Sequence, residues 1–265
     1  MRKIVIDRSL SVFILFFAVL LIIVSSIITV VYVNMYKDYK KGIYFQKVYG
    51  YYSEADSDSV TLTYKMFNVK NADDDFLTHG LYIVGEQAIK VDKVEITTVA
   101  SNKLYEEKSI EITFGLEGEP FTLRQLRFVY GEGIVFDVGE LIIEQFEYNN
   151  VMDKLSLRYY LFLNEPNFLL TAENLTDSRL DLLGLFFGQE KYGETLLEAK
   201  EKTDLNIPIP YHTDDFSLTI VKPIIRYKLD DGITRAVTTL IGTQYGNFLD
   251  TKDGILSFLK SVSNA

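Results

Sequence analysis

Cysteine is absent from the 265 residues. Disulfides, thiolate metal sites, thiol nucleophiles and a lipid-modified cysteine anchor are therefore excluded together. Tryptophan is also absent, and histidine occurs twice. No serine-nucleophile motif, glycine-rich phosphate loop or HExxH segment is present. Positive charge is scarce outside the first 41 residues, which hold six basic and two acidic side chains and leave 21 basic against 35 acidic in the rest, about −14. A surface of that sign repels phosphate backbones, so nucleic acid is not an expected partner.

A run without any charged side chain extends from residue 9 to 35 and is built of Leu, Ile, Val and Phe. About 20 apolar residues cross a hydrocarbon layer, so this run is expected to span a bilayer. A short basic tail (1–9) precedes it, with Arg2, Lys3 and Arg8. The apolar run is too long for the h-region of a cleaved signal peptide, and no Ala-x-Ala site comes after it, so it reads as a retained signal anchor. The helix is expected over 10–41, with Gly42 as its stop. Tyr32, Tyr36 and Tyr39 recur on one helical face among Lys37, Lys40 and Lys41, an aromatic and basic collar expected at headgroup depth. Lysine and arginine are balanced three to three across the span, so the positive-inside rule does not decide orientation. The signal-anchor pattern favours a single-pass protein with its large domain extracytoplasmic. Ser25, Ser26 and Thr29 are expected to bond back to their own helix.

Over the whole chain 48% of residues are hydrophobic and 14% aromatic, including 18 Tyr and 18 Phe, a tilt toward strand formers. Strand patterns fill residues 42–265. Ile110, Ile112 and Phe114 alternate with Glu111 and Thr113, the period of a half-buried strand. Leu155, Leu157, Tyr159, Leu161 and Leu163 share a phase, as do Ile134, Phe136, Val138, Ile142, Phe146 and Tyr148 over one long strand or a bent pair. Asp231-Gly232 between two apolar runs predicts a hairpin with a two-residue type I′ loop. The apolar phase shifts across Pro223, where a bulge or edge position is expected. Glu190 to Lys202 is the best internal helix candidate, and Ile255, Phe258, Leu259 and Val262 predict a short amphipathic helix closing over a sheet. The expected class is mainly β: an antiparallel β-sandwich-like domain, one large or two small with a sub-boundary near 150, after a single N-terminal transmembrane helix.

Candidate chemistry is sparse. His79 comes after Asp73, Asp74 and Asp75, while His212 precedes Asp214 and Asp215. These are reasonable divalent-metal ligands, but their spacing does not demand a site, so no metal and no cofactor is expected. Glu54, Asp56 and Asp58 begin like a calcium loop, which then fails at Ser59 and Lys65. Asn174-Leu175-Thr176 matches a glycosylation acceptor. Tyr44, Phe45, Tyr49, Tyr51 and Tyr52 crowd beyond the span and read as buried strand residues before a binding surface. Two functional readings are compatible with this pattern. One is a non-catalytic β-domain serving as subunit, scaffold or adhesive element of a cell-surface or envelope assembly, with the bilayer and a protein as partners. The other is a tethered hydrolase or glycan-binding module using loop carboxylates.

Overall fold

A computed structural model of the chain describes residues 8–55, 59–116, 120–146, 154–161, 167–188, 190–208, 216–238, 243–246 and 249–264. The chain is mostly β-strand. An N-terminal helix α1 (Arg8–Lys37) precedes β1 (Gly42–Phe45), β2 (Val48–Ala55), β3 (Val60–Val69), β4 (Leu81–Val84), β5 (Ala88–Lys90), β6 (Lys93–Ser101), β7 (Tyr105–Phe114), β8 (Phe121–Phe128) and β9 (Ile134–Phe146). The second half holds β10 (Leu155–Leu161), β11 (Asn167–Asn174), β12 (Leu180–Phe187), β13 (Glu190–Tyr192), β14 (Thr195–Leu197), β15 (Lys202–Pro208), β16 (Leu218–Lys222), β17 (Ile224–Leu229), β18 (Thr234–Thr238) and β19 (Thr243–Gly246), then α2 (Lys252–Asn264).

Two sandwiches result. In the first, the sheet β1-β3-β7-β6 faces the seven-stranded sheet β19-β16-β2-β9-β8-β4-β5. Between them lies a core that includes Leu62, Tyr64, Ile83, Ile112, Leu126, Phe128 and Ile143. In the second, β10-β11-β15 packs with β13-β12-β17-β18 around Leu170, Leu182, Leu185, Ile225 and Tyr227. The sandwiches share a layer. On β9, Leu141 and Ile143 point into the first core while Ile142 and Phe146 pack against the second, and Tyr51 and Val221 join them there. A period-two strand has two faces, and here each face serves a different core.

Strand β9 is the single long strand. Its one-phase pattern breaks at Gly139, where its pairing with β8 shifts register between Leu123 and Gln125. The phase shift across Pro223 has a larger cause than a bulge. Strand β16 belongs to the first sandwich and β17 to the second, so the chain changes sheets at that residue, with no ladder N–H to lose. At the centre, β2 runs parallel to both β9 and β16, an exception to the antiparallel pairing elsewhere.

Two local expectations are corrected. The segment 190–202 is not a helix: Thr195–Leu197 adds to the edge of β12, burying Leu197 completely, and burial outweighs helix propensity. The β17–β18 hairpin forms, but Lys228 pairs with Thr234 and the Gly232 N–H bonds the Leu229 carbonyl at 2.9 Å. Gly232 alone takes a positive φ (73°), and Asp231 does not, as a type I′ loop would require. The loop is therefore one residue longer, a turn closed by a left-handed glycine. Asp231 fastens it by accepting from the Ile233 N–H at 3.0 Å and from Arg235 at 2.9 and 2.5 Å.

Candidate functional site

The end of the domain next to α1 is built by three segments remote in sequence. Helix α2 is capped by Thr251, whose Oγ1 accepts from the Gly254 N–H at 3.1 Å. Its buried face, Ile255, Phe258 and Leu259, covers the outer side of the first sheet at Phe67, Val69 and Tyr105. Phe258 stands 5.4 Å from the Phe67 ring and 5.9 Å from Phe216. Tyr36 from α1, Tyr39 just beyond it and Tyr44 from β1 pack on the same cluster.

Helix α1 therefore stops at Lys37, four residues short of the expected 41, because the backbone beyond it has tertiary partners. The Lys40 N–H donates to Ser263 Oγ at 2.9 Å, and the Tyr39 carbonyl accepts from Lys70 Nζ. Lys260 approaches Asp38 at 3.8 Å. Gly42 opens β1 instead of capping the helix. Lys37, Lys40 and Lys41 are exposed, whereas Tyr36 and Tyr39 are partly covered by the domain itself. The side chain of Tyr32 lies outside the described residues. The segment Phe13–Val31 has a mean hydropathy of 3.1, is long and apolar enough to cross a membrane, and is nowhere buried against the domain. Thr29 Oγ1 bonds the Ser25 carbonyl at 2.8 Å.

Glu107 is the electrostatic weak point of this end. It is 7% exposed, faces the same side as its register partner Phe67, and lies beside the Lys65–Asp250 ion pair of 2.6 Å. Burial raises its pKa, Lys65 opposes that rise and Asp250 adds to it. A carboxyl whose folded pKa exceeds its unfolded one destabilises the fold when ionised, so stability rises as pH falls through the folded value toward the ordinary glutamate range. Asp74 behaves oppositely: burial pushes its pKa up, but hydrogen bonds from Lys108 and Asn68 hold it below the usual range, and its contribution is lost only at lower pH. Between neutrality and about pH 5, Glu107→Gln in the full chain in micelles is expected to melt higher than the parent, with the gap closing as pH falls. A gap that widened on acidification would contradict the burial of this charge.

At the junction of the sandwiches two carboxylates are held in place. Tyr51 donates to Glu144 at 2.5 Å, with Arg226 3.6 Å away and stacked 4.6 Å over Phe186. Tyr52 donates to Glu54 at 2.5 Å, Lys222 Nζ reaches Glu54 at 2.9 Å, and Ser53 Oγ bonds the Lys222 carbonyl at 2.6 Å. Burial first, then the bond to a carboxylate, raises both phenol pKa values. In the β2–β9 register Ser53 faces Glu144 and Glu54 faces Gln145, which puts the two carboxylates on opposite faces of one sheet. Each is neutralised by its own cation, and the two do not converge on a common substrate position.

The other candidate residues are scattered. His79 ends a short 3-10 turn, with Nδ1 3.2 Å from the Asp75 carbonyl and its ring edge-on to Tyr130 at 4.9 Å. Among the described residues no three His, Asp or Glu side chains gather as a metal cluster. His212, Asp214 and Asp215 lie outside the described residues, as do Asp56 and Asp58. Asn174 is fully buried, its amide donating to the Ser178, Leu197 and Glu198 carbonyls, so it organises a loop and is closed to a glycosyltransferase. Phe45 and Tyr51 are core residues, and Tyr44 and Tyr52 pack on the cores as well.

No protein-family model and no characterised protein matches the chain. Among solved structures it is similar to the D00-D0 domain of intimin, with 9% identity over 78% of this chain and 100% of that one, at a TM-score of 0.23. Fibronectin(III)-like modules of Clostridium thermocellum CbhA give 10% identity over 77% and 93% at 0.21, and the YadV chaperone 10% over 74% and 98% at 0.18.

Proposed function

We propose that this chain is a single-pass membrane protein whose paired β-sandwiches form a rigid, non-catalytic presenting element of a cell-surface or envelope assembly, with the domain on the extracytoplasmic side. The observation that carries the reading is the continuity of apolar packing from α1 to the far hairpin. The α2 cluster holds the helix end, the first core adjoins it, and the shared sheet joins the second core. From Gly42 through β2, β16 and β17 the strands advance by roughly 50 Å at about 3.3 Å per residue, which sets the β17–β18 hairpin well away from the bilayer.

The test is protease treatment of intact cells, then crosslinking from a photoreactive residue at Ile233, which is 58% exposed on the far hairpin. Digestion without lysis and one defined crosslinked protein is the expected result. Protection until lysis would overturn the orientation. Digestion with no protein adduct would overturn the assembly role in favour of a carbohydrate-directed one.

A further inference from the structure

The β8–β9 turn lies at the same end of the first sandwich as the exit of α1. Phe128 pairs with Ile134 to close the hairpin and with Leu81 of β4. The Phe136 ring lies 4.9 Å from Phe45 of β1, and β1 begins just after the short 38–41 connection from α1. The turn, the 3-10 segment Asp75–Thr78 and the 38–41 connection thus share one edge of the domain.

That turn displays apolar groups outside the core. Val129 is 52% and Tyr130 37% exposed, and Val135 just inside the strand is 49% exposed. The turn is nonetheless braced by its own bonds. The Val129 N–H donates to the Gly80 carbonyl at 2.7 Å, the Gly133 N–H to the Tyr130 carbonyl at 2.9 Å, and His79 braces the Tyr130 ring edge. Behind it Phe76, Phe128 and Phe136 form a packed aromatic base. An apolar pair held outward on a stiff hairpin is a contact surface with little ordering cost.

The length of the connection identifies what it touches. From Val31, the end of the apolar segment, six residues of helix reach Lys37, about 9 Å at 1.5 Å per residue. A headgroup layer is about 5–8 Å deep on each side. Lys37 thus stands at the outer edge of that layer, and the domain clamped to α1 abuts it with no linker between. We infer that the β8–β9 turn is a second membrane contact, in which Val129 and Tyr130 rest in the headgroup layer of the bilayer that α1 crosses. The inference rests on the membrane-spanning reading of α1. Lys37, Lys40 and Lys41 stand exposed at the helix exit, but Glu132 at the turn and exposed Asp73 and Asp75 beside it disfavour anionic headgroups there, so the turn's own contact is shallow, apolar and made to zwitterionic headgroups. Tyrosine at this depth anchors as an interfacial aromatic does, and the valine beside it adds apolar area.

The absence of tryptophan makes the test direct, because each substitution creates the sole indole of the protein. Ile23→Trp in mid-span, Tyr130→Trp at the turn and Ile233→Trp on the far hairpin are reconstituted as full chains in phosphatidylcholine nanodiscs carrying nitroxide-labelled lipid. Ile23→Trp is expected to be quenched by a mid-chain label, and Tyr130→Trp by a headgroup-proximal label, about twofold more than Ile233→Trp. If Ile23→Trp is quenched and Tyr130→Trp behaves like Ile233→Trp, the second contact is overturned and the anchor stands. If Ile23→Trp escapes quenching, the spanning reading itself fails. Should Tyr130→Trp not fold, Val129→Cys probed with a water-soluble thiol reagent in nanodiscs and in micelles decides instead, protection only in nanodiscs being the expected result and equal reactivity the refuting one.

Discussion

Replacing Gly50 or Gly139 with alanine is expected to cost about 3–5 kcal/mol each, enough to unfold much of the first sandwich near room temperature. Both residues lie along the parallel seam through β2. Gly50 has a φ of 113°, and an added Cβ would lie 2.1 Å from the Ile220 carbonyl oxygen. Gly139 has a φ of 96°, and its Cβ would lie 2.2 Å from the Val48 carbonyl oxygen. An L side chain is thus penalised by conformation and by a backbone that cannot move without parting β2 from its neighbours. Because that seam is also the floor of the second core, the loss is not confined to one sandwich. Denaturant titration of the full chain in micelles should show one cooperative transition moved to lower midpoint. Two separated transitions, with only the first moved, would mean that the sandwiches are energetically independent.

The second large effect is at the α1 end. Phe258→Ala is expected to lose about 3–4 kcal/mol, the range for deleting a buried aromatic side chain. The residue is 4% exposed and bridges Phe67 and Phe216. Its removal undermines the surface on which Tyr36 and Tyr39 rest, so hydrogen exchange in α2 and in residues 36–41 should rise together while β11 and β12 stay protected. Ser263→Ala removes the single bond from the Lys40 N–H and is expected to cost about 1 kcal/mol. Rapid exchange confined to α2, with 36–41 unchanged, would show that α2 does not hold the anchor.

Where the sequence was legible, periodicity was the reason. The uncharged run before Tyr36, the alternation of Ile110, Ile112 and Phe114, and the amphipathic spacing of Ile255, Phe258 and Leu259 are local signals, and each lies in the helix or strand its period implies. Other features rest on contacts that sequence spacing does not encode. Ser263 meets Lys40 across 223 residues, so the tyrosines that look like a headgroup collar also serve as packing for α2. Leu196 and Leu197 sit in a stretch of good helix formers, yet the open edge of β12 gives Leu197 more burial than an isolated helix would. The apolar phase change at Pro223 was visible, but a bulge and a change of sheet leave the same mark in sequence. Parallel pairing of 48–55 with 134–146 and 218–222 left only glycines inside strands as its trace, the usual sign of close backbone approach. The candidate site was less legible still, because Glu54 and Glu144 are two acids among many, and only the register puts them on opposite faces.

The stiffness of the paired sandwiches is the property to measure most directly. With no native cysteine, Val135→Cys near α1 and Ile233→Cys on the far hairpin accept spin labels at exposed positions without competing sites. Pulsed dipolar spectroscopy on the full chain in nanodiscs should give one narrow distance distribution, unchanged between micelle and bilayer. A broad or bimodal distribution would mean that the sandwiches swing about their junction, and the rigid presenting element would be contradicted.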